Sequence, residues 1–133
     1  MIIETFNDII IPKAADEYEP IVFLMDKNHR YVWLNDAYVQ GRTSLSVNQV
    51  IGLTMDRVHP LELADRYDCI ISNVFRTGKT AELIVEAIVE EKRVPFLANY
   101  RIVRSGEEKY LCGVGYDLRK AIPHLIMPRF DHN

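Results

Sequence analysis

Residues 81–118 place the strongest constraint on what this chain can fold into. In Ala81-Glu82-Leu83-Ile84-Val85-Glu86-Ala87-Ile88-Val89-Glu90 the glutamates recur at every fourth residue. On a strand this puts Glu82, Glu86 and Glu90 on one face and Ala81, Leu83, Val85, Ala87 and Val89 on the other. A helix would also gather the glutamates into one stripe, but the Ile and Val content favours a strand. A second strand is predicted over 93–104, a turn at Ser105-Gly106-Glu107-Glu108, and a third strand over 109–118. Three consecutive strands joined by short turns form an antiparallel meander, which must bury one face against other elements.

Those elements lie upstream. Ile21-Val22-Phe23-Leu24-Met25 and Arg30-Tyr31-Val32-Trp33-Leu34 flank the polar Asp26-Lys27-Asn28, which reads as a hairpin. Asn35-Asp36 is a predicted N-cap for a short helix carrying Tyr38. Ser46 caps another, with Gly52 as its stop, and Thr54 starts a further turn. The clearest helix spans 61–76, where Leu63, Tyr67, Ile70, Ile71, Val74 and Phe75 fall at helical spacing. Pro60 precedes it and Gly78 ends it. Ile2, Phe6, Ile9 and Ile10 predict a short helix over 1–11, packed on its own domain or on a partner chain, with Pro12 as its end. The fold class is α+β: a five-stranded antiparallel sheet with short helices and one long helix on one face.

Bulk properties exclude several classes. At 133 residues, 48% hydrophobic and 26% charged, the chain is an ordinary one-domain globular composition. A net charge of −3 argues against a nucleic-acid footprint. Cys69 and Cys112 lie far apart with no CxxC pattern, so neither a metal site nor a disulfide framework is expected. No apolar run approaches the roughly 20 residues of a membrane span. Met1-Ile2-Ile3-Glu4-Thr5 lacks a basic segment and a cleavage site, so no signal peptide is expected and the expected location is the cytoplasm. There is no GxSxG, HExxH or P-loop, and the expectation is that the chain is not an enzyme.

Five segments, in order and at the right spacing, resemble the PAS domain family over residues 20–119. Asp26 to Asn35 resembles its opening "D-x-x-x-r-i-x-y-x-N". Val50-Ile51-Gly52 resembles "eliG", and Val58-His59-Pro60 resembles the "iHP" before the long helix. Phe75-Arg76-Thr77-Gly78-Lys79 resembles the helix end. Gly113-Val114-Gly115-Tyr116-Asp117-Leu118-Arg119 resembles the last strand and its "D-I-T" signalling motif. Two departures stand out: Glu91-Lys92-Arg93 replaces the usual Asp-Gly turn, and Arg119 replaces the Thr. The resemblance implies a capping or dimerisation segment over 1–19, a PAS domain over 20–119 and a tail over 120–133. Asp117 and Arg119 are the expected signalling residues.

The resemblance also implies an internal pocket. With the family's register, Leu83, Val85, Ala87, Val89, Leu97, Asn99, Leu111, Gly113 and Gly115 face it, joined by Tyr67 from the long helix. Gly113 and Gly115 either leave space for a ligand or let another element approach closely. Asn99 is either the polar anchor of a ligand or is satisfied by backbone groups. The Asn-Cys-Arg-Phe-Leu-Gln type motif of cysteinyl-flavin light sensors is absent. The long helix has no haem-ligating His; Tyr67 stands there instead. Cys69 and Cys112 read as buried apolar residues, His59 as structural and His29 as a solvated turn residue. Arg101 would share the face of Asn99 and could meet an anion or reach solvent. The cofactor stays unknown.

The opposite sheet face is expected to carry Ile84, Ile88, Phe96, Ala98, Tyr100, Ile102, Tyr110, Cys112, Val114 and Tyr116, too apolar to face water. A two-fold homodimer through Phe6, Ile10, Phe96, Tyr100, Tyr110 and Tyr116 would cover it. The expected function is a sensory module in signal transduction, binding a small ligand or cofactor and relaying the signal to an output domain or partner. The alternative is a ligand-free dimerisation or protein-interaction module.

Overall fold

A computed structural model of the protein describes residues 2–6, 9–13 and 19–121, with backbone alone for the first two segments. The amino-terminal stretch is not helical. It forms β1 (Ile2–Phe6) and β2 (Ile9–Lys13), paired antiparallel in a sheet of their own. The β-branched run Ile9-Ile10-Ile11 favours extended backbone, and this outweighs the helical spacing. The side chains of Phe6 and Ile10 lie outside the described residues. β2 touches the main sheet at its long sixth strand.

The main sheet begins with the predicted hairpin, β3 (Ile21–Met25) and β4 (Tyr31–Leu34). Asn35 stands at the N-cap position of α1 (Asp36–Val39) but makes no cap bond. It clamps the hairpin instead: Val22 N–H donates to Asn35 Oδ1 at 3.0 Å, and Asn35 Nδ2 donates to the Pro20 carbonyl at 2.9 Å. Ser46 does cap α2 (Val47–Val50), in a capping box with Gln49. A 3₁₀ turn, Met55–Arg57, leads to α3 (Leu61–Thr77), which stops at Gly78 in the left-handed conformation. α3 buries Leu63, Ala64, Tyr67, Ile71 and Val74. Cys69, on its other side, is exposed, contrary to the sequence reading.

The meander follows as β5 (Ala81–Val89), β6 (Lys92–Ser105) and β7 (Glu108–Asp117), and α4 (Leu118–Ala121) closes the described chain. The sheet order is β4-β3-β7-β6-β5, antiparallel throughout. Helices cover one face, and the main core lies between them and the sheet.

One register differs from the sequence reading. Glu90 and Glu91 alone connect Val89 to its partner Lys92, both with positive φ, 50° and 67°. This is the conformation of a two-residue type I′ turn. Such a turn pairs odd positions of β5 with even positions of β6, as in Val85 with Phe96 and Ala87 with Val94. A three-residue turn at Glu91-Lys92-Arg93 would reverse that parity. Phe96, Ala98, Tyr100 and Ile102 therefore face the helices, and Phe96 and Tyr100 are not on the outer face. Leu97 and Asn99 face outward, where Asn99 Nδ2 reaches Glu82 at 3.4 Å. Arg101 shares that face, beside Cys112. The outer face is correspondingly more polar than expected.

The two glycines of β7 are accounted for by their neighbours on β3. Phe23 pairs with Gly113 and Ile21 with Gly115. A Cβ on Gly113 would lie 2.3 Å from the Phe23 ring. The ring cannot withdraw, because Tyr31, Tyr38 and Tyr100 pack edge-on around it at 5.3–6.2 Å. The Gly113→Ala variant is therefore expected to lose about 1–3 kcal/mol of stability through overpacking. Urea denaturation checks this; a variant as stable as the parent contradicts the packing.

Candidate functional site

The inner half of the site is an aromatic cluster. Phe23 comes from β3, Tyr31 from β4, Tyr38 from α1, Tyr67 from α3, and Phe96 and Tyr100 from β6. Tyr31 and Tyr38 share a short hydroxyl–hydroxyl hydrogen bond. Tyr38 Oη lies 2.7 Å from His59 Nε2, and Tyr31 donates to Met55 Sδ at 2.9 Å. Tyr67 donates to the Glu86 carbonyl at 2.5 Å, tying α3 to β5. Between these rings a cavity of about 20 Å³ remains, touching Phe23, Tyr38, Tyr67, Val85, Ala87, Tyr100 and Gly115 among others. That is room for one water.

Arg42 is the charged member of the site. Gly41, at φ +71°, turns the chain after α1, and its carbonyl accepts from Glu90 N–H at 2.6 Å. This pins the loop against the β5–β6 turn and sends Arg42 inward. Its guanidinium carbon stands 4.4 Å over the Tyr38 ring and 5.6 Å from that of Phe96. Nη1 reaches the Tyr38 carbonyl only at 3.5 Å, and Nε is buried without a hydrogen-bond partner. Arg42 lines both the inner cavity and an outer cleft of about 160 Å³. The cleft is also bounded by Glu19, Ile21, Gln40, Phe96, Asp117 and Lys120, and by Gly115 at its floor.

The electrostatics follow from burial. Tyr31, Tyr38, Tyr67 and Tyr100 all have raised pKa values because burial disfavours the phenolate. They are neutral hydrogen-bonding groups around a permanent cation. His59 is pushed down to about 3, first by burial and then by the Arg42 charge. At the cleft mouth Asp117 is held below the usual carboxylate range by hydrogen bonds and charge from Arg119, which outweigh its burial. It accepts from the Arg119 backbone at 2.9 Å and from Nη2 at 2.9 Å, closing the first turn of α4.

Of the residues expected at the pocket, the structure brings Tyr67, Val85, Ala87 and Gly115 to the inner cavity. Leu111 is fully buried in the core beside it. Gly113 is covered by Phe23, and Leu97 and Asn99 point the other way. His29 is half-buried rather than fully solvated: its Nδ1 lies 3.2 Å from Asp68 and its ring stacks on Phe75. His124 and His132 lie outside the described residues. Arg42 was missed. In Gln40-Gly41-Arg42-Thr43 an arginine reads as solvated loop, and no local pattern marks its partial burial. Among the described residues, no group of three or more His, Cys, Asp or Glu is placed to hold a metal, and no helix is long and apolar enough to cross a membrane.

The buried histidine has a consequence for stability. The unfolded chain takes up the His59 proton near pH 6.5, the folded chain only near pH 3. Between these values the unfolded state binds more protons, so the contribution is complete above pH 6.5 and is lost as pH falls toward 3. The parent protein is expected to lose up to about 2 kcal/mol more than His59→Gln between pH 7 and pH 5. Urea denaturation at both pH values checks this, and equal losses contradict it.

The sequence profile of the PAS fold matches residues 17–121. No curated protein sequence matches. Among solved structures, the PAS domain of the RpfR quorum-sensing receptor of Cronobacter turicensis, in complex with C12:0, is similar at TM-score 0.61 and 19% identity, covering 79% of this chain and 99% of that one. The Vibrio cholera VqmA–ligand–DNA complex is similar at TM-score 0.69 and 16% identity, covering 79% of this chain and 50% of that one. A sensory box sensor histidine kinase from Vibrio cholerae is similar at TM-score 0.61 and 14% identity, covering 74% and 81%. Profile and fold agree, and the chain belongs to the PAS fold family.

Proposed function

We propose that this chain is a sensory module that binds a small ligand in the cleft beside Arg42 and relays its occupancy, through a homodimer, to an output domain or partner. The observation that carries the reading is the Arg42 guanidinium. It is a permanent charge set among neutral rings, with a buried donor lacking a partner, at the junction of cleft and core. A desolvated charge is costly, and a ligand in the cleft can meet the part of the guanidinium that lines it. The similar PAS domain of the quorum-sensing receptor is seen in complex with C12:0 and with BDSF, and VqmA with DPO.

The relay follows from where the cleft lies. Glu19 precedes β3, and Asp117 and Lys120 stand where β7 passes into α4. A ligand there touches both ends of the domain and the Asp117–Arg119 pair. Binding that favours one arrangement of these ends biases two states of whatever is attached. Tyr110 and Tyr116, with the exposed Ile84, remain the proposed dimer surface on the outer face. The ligand-free interaction module is the second reading, favoured by the inner cavity, which holds no more than one water.

Native mass spectrometry of the purified protein, with an absorption spectrum on the same sample, tests this. The expected result is a dimer carrying a small molecule, with Tyr116→Glu weakening the dimer at least about tenfold. A ligand-free dimer moves the reading to the interaction module, and a monomer at about 100 μM removes the dimer relay.

A further inference from the structure

We infer that the ligand is a small carboxylate, seated in the cleft with its carboxylate against the Arg42 guanidinium. The inference rests on the sensor reading above and names its ligand class.

The rings of Tyr38 and Phe96 meet the guanidinium as cation–π partners, its carbon 4.4 and 5.6 Å from their centroids. In its plane, Nη1 reaches the Tyr38 carbonyl only at 3.5 Å, and Nε–H is buried with no acceptor. A guanidinium edge presents parallel N–H donors that match the two oxygens of a carboxylate. Among the described residues no carboxylate lies within ion-pair distance of Arg42, and Asp117 is already engaged by Arg119. The surrounding tyrosines are held neutral by burial, so none of them neutralises the charge. The anion is therefore the missing counter-charge.

Glu19, Asp117 and Lys120 line the same cleft, so charges of both signs surround the ligand. Ile21, Phe96 and Gly115 supply an apolar wall and floor. At about 160 Å³ the cleft is below the roughly 300–1,000 Å³ of drug-sized sites, so the body is a few carbons or one ring rather than an extended chain.

The test is calorimetric titration of the full chain at constant ionic strength with propionate, pyruvate and benzoate, and with propionamide and benzamide as neutral matches. At least one carboxylate is expected to bind, at least about tenfold more tightly than its amide. Arg42→Gln should abolish that preference and Arg42→Lys reduce it. If neither variant folds, the carboxylate-to-amide ratio of the parent protein decides alone. Equal binding of acid and amide, no binding of any carboxylate at 10 mM (about 100 times a 0.1 mM Kd), or an unchanged preference in a folded Arg42→Gln overturns the inference. A neutral molecule that co-purifies in the cleft also overturns it, while leaving the sensor reading in place.

Discussion

Phe23 rests on the bare backbone of Gly113, and much of the interior is arranged by that contact. A side chain at position 113 would occupy the ring's place. Because it does not, the Phe23 ring occupies that space on the neighbouring strand, and Tyr31, Tyr38 and Tyr100 close around it edge-on, the geometry aromatic quadrupoles prefer. Tyr38 is thereby held with its hydroxyl toward His59 and Tyr31 and its face toward Arg42. Strand pairing, aromatic packing and the placement of one charge form a single chain of causes, in which each step fixes the next.

The consequence is an electrostatic asymmetry. The interior gathers polar groups that burial keeps neutral: four tyrosines and a histidine. Against them stands one guanidinium that cannot be neutralised. The aromatic faces compensate part of its desolvation, and the residue also lines the cleft. The same cleft touches the segments where the chain enters and leaves the domain. In the proposed function, recognition chemistry and the route outward therefore share one small volume.

Much of the fold was legible in the sequence where hydrophobic period and turn chemistry agreed. The β3–β4 hairpin, α3 with its Gly78 stop, and the three meander strands all appear within a residue or two of their expected bounds. Two features were not legible. β1 and β2 carry helical spacing but β-branched residues, and the second won. Glu90 and Glu91 occupy left-handed positions usually taken by Asn and Gly. No local signal marked that turn as two residues long, so the β6 side chains from 96 to 102 were assigned to the wrong face. The site suffered most from this: Phe96 and Tyr100 belong inside and Leu97 and Asn99 outside. Arg42 was invisible for another reason, since its burial arises from contacts between residues remote in sequence.

The account turns on the Arg42 Nε–H being enclosed, and NMR of its guanidinium tests that most directly. In the ligand-free protein the Nε–H proton should be resolved from those of the exposed arginines, displaced upfield by the Tyr38 ring, and slow to exchange with water. An Nε–H signal with the shift and exchange rate of a solvated arginine would place the side chain outside the aromatic cluster and contradict the account.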